Sequence, residues 1–97
     1  MMMRITWGKL RSGTWSDFEQ AYHTTVVGHD VKGLQGRWLA QDATDPEGGF
    51  AVSLWDSQAD LQAYEQSDFF QKEALPALQP FFAGEYTTYR CDVKYSQ

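Results

Sequence analysis

Cysteine and basic residues are scarce in this chain of 97 residues, and each scarcity excludes a class of protein. The single cysteine, Cys91, cannot form an internal disulfide, which is typical of a reducing compartment, so we expect a cytoplasmic protein. Eight Lys and Arg residues are outnumbered by 13 Asp and Glu residues, giving a net charge of -5, and they form no basic run. Nucleic acids and anionic membrane surfaces both bind basic faces, so neither is expected as a partner.

Long apolar segments are missing as well. No stretch approaches the roughly 20 consecutive apolar residues of a membrane-spanning helix. Residues 1–5 lead directly into a strand pattern and lack the apolar core of a signal peptide. The length fits one domain over residues 1–97, and a domain of this size buries only about two thirds of its unfolded surface. A partner would therefore add to its stability.

Aromatic residues are abundant by contrast. They make up 15% of the chain and include four Trp, which is a large apolar area for one small core. We therefore expect a ligand cavity, an interface between chains, or both.

Hydrophobic periodicity predicts six elements in the order β-α-β-β-α-β. Strand patterns cover residues 3–10, 34–41, 50–55 and 86–95, while helical patterns cover 15–27 and 57–66, followed by a broken helical segment at 67–75. Turn-forming residues at 42–49 predict a hairpin between the second and third strands. The order is that of the split βαβ arrangement. The predicted fold is therefore α+β and ferredoxin-like, with a four-stranded antiparallel sheet and its helices on one face.

The third predicted strand is mostly apolar on both faces. Phe50, Val52 and Leu54 share one face, while Ala51, Ser53 and Trp55 share the other. An antiparallel sheet covered by helices on one side usually exposes polar residues on the other side. We therefore expect a homodimer whose two sheets face each other. A monomer with exposed aromatic residues on that face is the alternative, although large exposed apolar patches are rare.

Four segments of the chain resemble the antibiotic biosynthesis monooxygenase superfamily. They are GLQGRWL at 33–39, DATDPEG at 42–48, FAVSLW at 50–55 and AYEQS at 63–67. The resemblance extends over nearly the whole chain and implies a dimeric α/β barrel built from ferredoxin-like subunits. Members of the superfamily include cofactor-free oxygenases of phenols, haem-degrading enzymes and small proteins with no established activity.

The residues used by two branches of that superfamily are not found here. The haem-degrading branch uses an Asn, a Trp and a His, and a quinone-forming branch also uses an Asn, yet this chain contains no Asn. Its two histidines, His23 and His29, lie in and just after the first helix instead of on the second helical segment. Neither residue set can be transferred to this sequence. No Cys/His spacing typical of a metal site is present either, so we expect neither metal nor cofactor.

Arg37 is a candidate ligand-binding residue because it lies within an apolar strand, where a charge requires a partner. It could hold a phenolate, carboxylate or enolate in a cavity and stabilise developing negative charge. Alternatively, it pairs with an acidic side chain such as Glu85 or Asp92, in the same subunit or across a dimer.

The other candidates are a histidine and four aromatic residues. His23 could act as a base beside the cavity, or it could be an ordinary surface residue of the helix. The rest could be packing residues or could line a cavity and orient a ligand oxygen; they are Trp7, Tyr22, Trp55 and Tyr89. Trp38 and Cys91 are expected in packing roles, and His29 in an exposed loop.

Two functions remain open from the sequence. In the first, the protein is a cofactor-independent monooxygenase that binds a small aromatic or polyketide-like substrate between its helices and its sheet. In the second, it is a non-catalytic dimeric module that binds a small apolar ligand or supports another enzyme. Haem binding by a different ligand set is a third, less specific hypothesis.

Overall fold

All helices cover one face of a four-stranded antiparallel sheet, as seen in a computed structural model that describes residues 1–97. The strands follow the order β2-β3-β1-β4 across the sheet; they are β1 (Met2–Leu10), β2 (Leu34–Gln41), β3 (Gly48–Trp55) and β4 (Phe82–Asp92). The helices are α1 (Trp15–Thr25), α2 (Gln58–Glu65) and the short α3 (Leu75–Leu78). The predicted α+β, ferredoxin-like fold is confirmed.

The second helical segment is irregular. A π-helical turn, Phe69–Ala74, joins α2 to α3, and a 3-10 turn, Gln79–Phe81, ends the segment. Pro76 lies in the first turn of α3 and Pro80 in the 3-10 turn, positions where a missing backbone N–H costs little. None of the helices reaches the length and hydrophobicity that crossing a lipid bilayer requires.

The last strand begins and ends earlier than its predicted range of 86–95. Phe82 pairs with Leu10 past an irregularity in which β4 residues 83–85 lie opposite the single residue Lys9, and this extends the ladder four residues towards the N-terminal side of β4. At the other end Asp92 pairs with Met2, the first residue of β1, so later residues have no strand to pair with. The partner strand, not the local sequence, sets both ends of β4.

Alternation along the strands separates a helix-facing side from an outer face. Met2, Thr6 and Leu10 of β1 are buried under the helices, and Trp55 is completely buried in the same layer. The outer face carries the residues one position out of phase, among which Lys9 and Thr87 are polar. Its large apolar side chains are Met3, Ile5, Trp7, Trp38, Phe50, Val52, Leu54 and Tyr89. Trp38 and Tyr89 are 53% and 57% exposed. One chain therefore leaves a largely apolar sheet face uncovered.

The core lies between the sheet and the helices. Trp55 and Leu61 are at most 1% exposed, and the ring of Tyr64 packs 4.8 Å from that of Trp55. Ser57 caps α2 by accepting a hydrogen bond from the Asp60 backbone N–H, which fixes the start of the helix above the sheet. These contacts fix the distance between the sheet and the layer formed by α2 and the π-helical turn.

Gly8 provides a test of this packing. A β-carbon at Gly8 would overlap the Phe82 ring, which is held between Phe18 and Tyr86. We expect Gly8→Ala to lower the free energy of unfolding by about 1–3 kcal/mol, because the ring must move. Urea denaturation measures the change. Gly84→Ala is the matched control, since no atom lies within 4 Å of its added β-carbon. Equal effects of the two substitutions would contradict the packing described here.

Candidate functional site

A cavity of about 80 Å³ lies between the sheet and the helices. Thr6, Ala51 and Ser53 form its floor, α1 contributes Tyr22 to its wall, and residues 70–78 form its roof. Twelve of its 17 lining residues are hydrophobic. The cavity is therefore an apolar space in which a few polar groups decide what can bind.

Two charged side chains line the cavity, Arg4 and Arg37, and no acidic side chain does. Arg4 is paired, because its Nε donates to Glu65 at 2.9 Å. Arg37 forms no ion pair, and its Nη2 is buried without a hydrogen-bond partner. Neither Glu85 nor Asp92, the partners considered from the sequence, reaches it within the chain. A buried guanidinium nitrogen without an acceptor is costly, and an acceptor oxygen in the cavity would satisfy it.

The strand register explains the surplus of positive charge. Arg37, Ser53, Arg4 and Arg90 are neighbours on β2, β3, β1 and β4 and form one row, here called the arginine row. One carboxylate, Glu65 of α2, accepts from Arg4 at 2.9 Å and from Arg90 at 2.7 Å. Two of the three guanidinium groups of the row thus share one carboxylate, and the third, Arg37, has no acidic partner.

Glu65 is ionised by its neighbours. Burial alone would raise the pKa of its carboxyl group, but the hydrogen bonds and charges of Arg90 and Arg4 outweigh burial. Together they hold the pKa of Glu65 below its ordinary value of 4.5. The carboxylate is therefore fully charged at neutral pH and is committed to Arg4 and Arg90.

Two tyrosines surround the free guanidinium. Tyr22 of α1 is buried, and burial raises the pKa of its hydroxyl, while the positive charge of Arg37 and a side-chain hydrogen bond with Arg37 partly offset the rise. The hydroxyl is thus neutral at physiological pH, so it can accept from Arg37 and still donate its own hydrogen. The Arg37 guanidinium lies over the ring of Tyr64, 5.9 Å from its centroid. The two tyrosines hold this arginine in place and give it no counter-charge.

Of the six residues proposed from the sequence, the structure brings Tyr22 and Arg37 together in the cavity. His23 lies one helical step of about 100° from Tyr22, so its side chain is 61% exposed, 3.9 Å from Glu19. Trp7 and Tyr89 lie on the outer face, since they are out of phase with the helix-facing positions. None of these three lines the cavity.

Trp55 also lies outside the cavity, in the core beneath α2. Its indole Nε1 donates to Ser53 Oγ at 2.9 Å, so it orients a residue of the cavity floor without touching the space itself. No tryptophan lines the cavity. Trp38 is on the outer face. The packing role expected for Cys91 is wrong within the chain, because its pairing with Met3 places Cys91 on the outer face, where it is exposed.

Sequence reasoning missed the polar groups of β1. Arg4 and Thr6 both line the cavity, and both alternate in phase with the buried Met2 and Leu10. That alternation is the signal that could have found them, because a charged residue in phase with core positions must face a partner or a ligand. His29, placed in a loop, stacks on Phe69 with ring centroids 3.6 Å apart.

The roof of the cavity includes the π-helical turn Phe69–Ala74. Phe70 and Ala74 are buried and line the cavity from this turn, followed by Leu75 and Leu78 of α3. Isolated π-helical turns occur frequently at functional sites. The structure contains no cluster of three or more His, Cys, Asp or Glu side chains that could hold a metal ion.

Solved structures share this fold along the whole chain. A conserved protein of Methanosarcina mazei Go1 is 16% identical, with a TM-score of 0.83 over 97% of this chain and 94% of that one. Proteins of Caulobacter crescentus CB15 and Bordetella bronchiseptica are provisionally named antibiotic biosynthesis monooxygenases. The first is 19% identical (TM-score 0.83, covering 97% of this chain and 90% of that one). The second is 18% identical (TM-score 0.82, covering 97% of each).

These likenesses define the class of fold. The chain has the fold of the antibiotic biosynthesis monooxygenase superfamily, which confirms the resemblance drawn from segments 33–39, 42–48, 50–55 and 63–67. The chain matches no protein-family model and no curated protein. At these identities the likeness concerns the fold, and the function has to be argued from the cavity.

The shared carboxylate predicts a pH dependence of stability. Because the folded-state pKa of Glu65 lies below its unfolded value, its contribution is complete above about pH 5 and is lost as pH falls through the folded pKa. We expect the difference in free energy of unfolding between wild type and Glu65→Gln to be large at pH 7 and to shrink towards pH 3. Denaturant titrations at both pH values measure it.

The comparison with Glu65→Gln is needed because Asp42 and Asp45 also have lowered pKa values, each through hydrogen bonds in its own loop. Both aspartates are present in the two proteins, so their contributions cancel in the difference. A difference that is the same at pH 7 and pH 3 would show that the Glu65 carboxylate is not held by the two arginines.

Proposed function

We propose that the protein binds a small aromatic or enolic anion between its helices and its sheet and oxygenates it with dioxygen, as a cofactor-independent monooxygenase. The observation that carries the proposal is the buried, unpartnered Nη2 of Arg37 in a cavity without acidic residues. A charge-assisted hydrogen bond donated by this nitrogen to a ligand oxygen would satisfy it. The whole chain carries a net charge of -5, so the attraction for anions is local to the cavity.

The volume of the cavity limits the ligand to a single ring. At about 80 Å³ it is smaller than the ~150 Å³ engineered cavity that accepts benzene. A ring can enter when side chains of the roof move, and Leu75 and Leu78 are only half-buried. Polycyclic substrates would require a much larger rearrangement. We therefore propose single-ring phenols and small enolisable diketones as substrates.

Such anions need little chemical help from the protein. Dioxygen forms a bond with an electron-rich carbon of the anion, giving a peroxide; the O–O bond then breaks as that carbon loses its hydrogen. For a phenol, the products are a quinone and water, so one oxygen atom of dioxygen enters the product and the other leaves in water. In this proposal Arg37 stabilises the anion, the Tyr22 hydroxyl donates a hydrogen bond to it, and the apolar walls exclude water.

A non-catalytic binding module is the second candidate. The observation that favours it is that no His, Asp or Glu lines the cavity, so no side chain with an ordinary pKa near neutrality is available to remove a proton there. Under this alternative the same anions bind through Arg37 and leave unchanged.

Isotope labelling under ¹⁸O₂ distinguishes turnover from binding. We expect oxygen uptake with a single-ring phenol, one labelled atom per product molecule, and loss of at least about tenfold in ligand affinity in Arg37→Gln, because a charged hydrogen bond is removed. Lys94→Gln is the control for the loss of a positive charge, since Lys94 is exposed beyond β4 and does not line the cavity. Binding without oxygen uptake would support the binding module. Equal losses in both variants would contradict a role for Arg37.

We also propose that two chains pair through their outer faces to form a homodimer. The apolar outer face, with Trp38 53% and Tyr89 57% exposed, supports this arrangement because a face of this kind is rarely left in water. A two-fold dimer would bury the same patch on both copies. A cytoplasmic location is part of the same proposal and is supported by the single free cysteine, Cys91.

A charge on the outer face tests the dimer. Trp38→Glu would place two carboxylates in a buried apolar interface, so we expect it to convert the dimer into a monomer in analytical ultracentrifugation. Val27→Glu is the control, because Val27 is 46% exposed but follows α1 on the opposite side of the sheet. A wild type that sediments as a monomer at micromolar concentration would overturn the proposed dimer.

A further inference from the structure

A chain of hydrogen bonds runs along the cavity floor from the arginine row to β4. Arg4, already bound to Glu65, donates from Nη1 to Thr6 Oγ1 at 3.2 Å. Thr6 Oγ1 lies 2.8 Å from Thr88 Oγ1, a contact in which either hydroxyl could donate. Thr6 is 8% exposed and is the one buried polar residue of the chain.

The two threonine hydroxyls have two O–H hydrogens, and only one of them is used in the contact between Thr6 and Thr88. A threonine hydroxyl donates one hydrogen bond and accepts two. When Thr88 donates to Thr6, both acceptor positions of Thr6 are occupied, one by Arg4 and one by Thr88. The single O–H of Thr6 then has no partner within the protein and is available to a ligand, because Thr6 lines the cavity. In the other orientation Thr6 donates to Thr88, and the free O–H belongs to Thr88, which does not line the cavity. An acceptor oxygen on a ligand beside Thr6 would select the first orientation.

We propose that Thr6 is the second polar contact of the ligand and donates to a neutral oxygen of the bound anion. This inference rests on the proposed function and narrows its substrate class. The ligand carries an anionic oxygen that binds Arg37 and a second oxygen, a hydroxyl, carbonyl or ether, that accepts from Thr6. Thr6 acts as a specificity-determining residue, since a site built around a hydroxyl donor discriminates against ligands that lack the acceptor.

The strand geometry sets where the second oxygen lies on the ring. Arg37 is on β2 and Thr6 is on β1, with β3 between them. Arg37 is in register with Arg4 of β1, and Thr6 lies two residues further along β1. Neighbouring strands are about 4.8 Å apart, so the two Cα atoms are separated by roughly 12 Å. A ligand that reaches both residues would have to span the part of that distance that the arginine side chain does not cover. We therefore expect its two oxygens at opposite ends of a ring.

Three benzoates of similar size test this inference by isothermal titration calorimetry. Benzoate carries the anion alone, 4-methylbenzoate adds a group without an oxygen, and 4-hydroxybenzoate adds the second oxygen. We expect wild type to bind 4-hydroxybenzoate about three- to tenfold more tightly than 4-methylbenzoate, the ratio that one neutral hydrogen bond provides. Thr6→Val should remove this preference while 4-methylbenzoate still binds, and Thr6→Ser, which keeps the hydroxyl, should retain it.

Two controls separate this effect from a change in stability. Thr87→Val alters the neighbouring residue of β4 on the outer face and should leave the preference intact. The comparison of ligands on wild type needs no variant, so it remains decisive if Thr6→Val does not fold. Equal affinities for 4-hydroxybenzoate and 4-methylbenzoate, or a preference that survives Thr6→Val, would overturn the role of Thr6 alone. Failure of all three acids to bind would overturn the proposed function as well.

Discussion

The ion pairs of Glu65 with Arg4 and Arg90 determine the charge of the cavity, because they leave the third arginine of the row, Arg37, without an acidic partner. Glu65 reaches down from α2 and binds Arg4 of β1 and Arg90 of β4 at hydrogen-bonding distance. This interaction fixes α2 over the sheet and leaves no counter-charge for Arg37, the third member of the arginine row. Removing water from an unpaired guanidinium is expensive, so the arrangement makes sense when an external anion completes it. The packing of the fold and the chemistry of its cavity therefore depend on the same ion pairs.

The two apolar faces of the sheet have separate consequences. The helix-facing side is covered within the chain and encloses the cavity, whose polar groups are few and basic. The outer face, with Trp7, Trp38 and Tyr89, has nothing in the chain to cover it. The high aromatic content noted in the sequence is thus divided between them. Phenylalanine and tyrosine side chains surround the cavity, while two of the tryptophans lie on the outer face and none reaches the cavity.

Much of the fold could be predicted because it follows from local periodicity. The alternation in β3 identified Phe50, Val52 and Leu54 as one face and Trp55 as part of the other, and the register confirms this. The ends of β4 could not be predicted in the same way, since they depend on where β1 offers partners and on the irregularity between Gly8 and Leu10. Strand ends are set by pairing between distant segments, which a single sequence does not reveal.

The cavity was predictable only in part for the same reason. Arg37 could be singled out because a charge within an apolar strand is unusual, and Tyr22 because it lies on the inner stripe of α1. That Arg37 lacks a partner depends on the row that places Arg4 and Arg90 beside Glu65, and this row follows from the register of all four strands. The role proposed for Thr6 depends on its hydroxyl contact with Thr88, which lies on the neighbouring strand and is 82 residues away in sequence.

A crystal structure of the protein with 4-bromobenzoate would show whether Arg37 binds an aromatic anion, because the anomalous signal of bromine locates the ring independently of the protein. We expect one ring per chain beneath the π-helical turn, with its carboxylate within hydrogen-bonding distance of Arg37 Nη2. A structure in which Arg37 instead pairs with an acidic side chain, its own or that of a partner subunit, and in which the cavity holds no ring, would contradict this expectation.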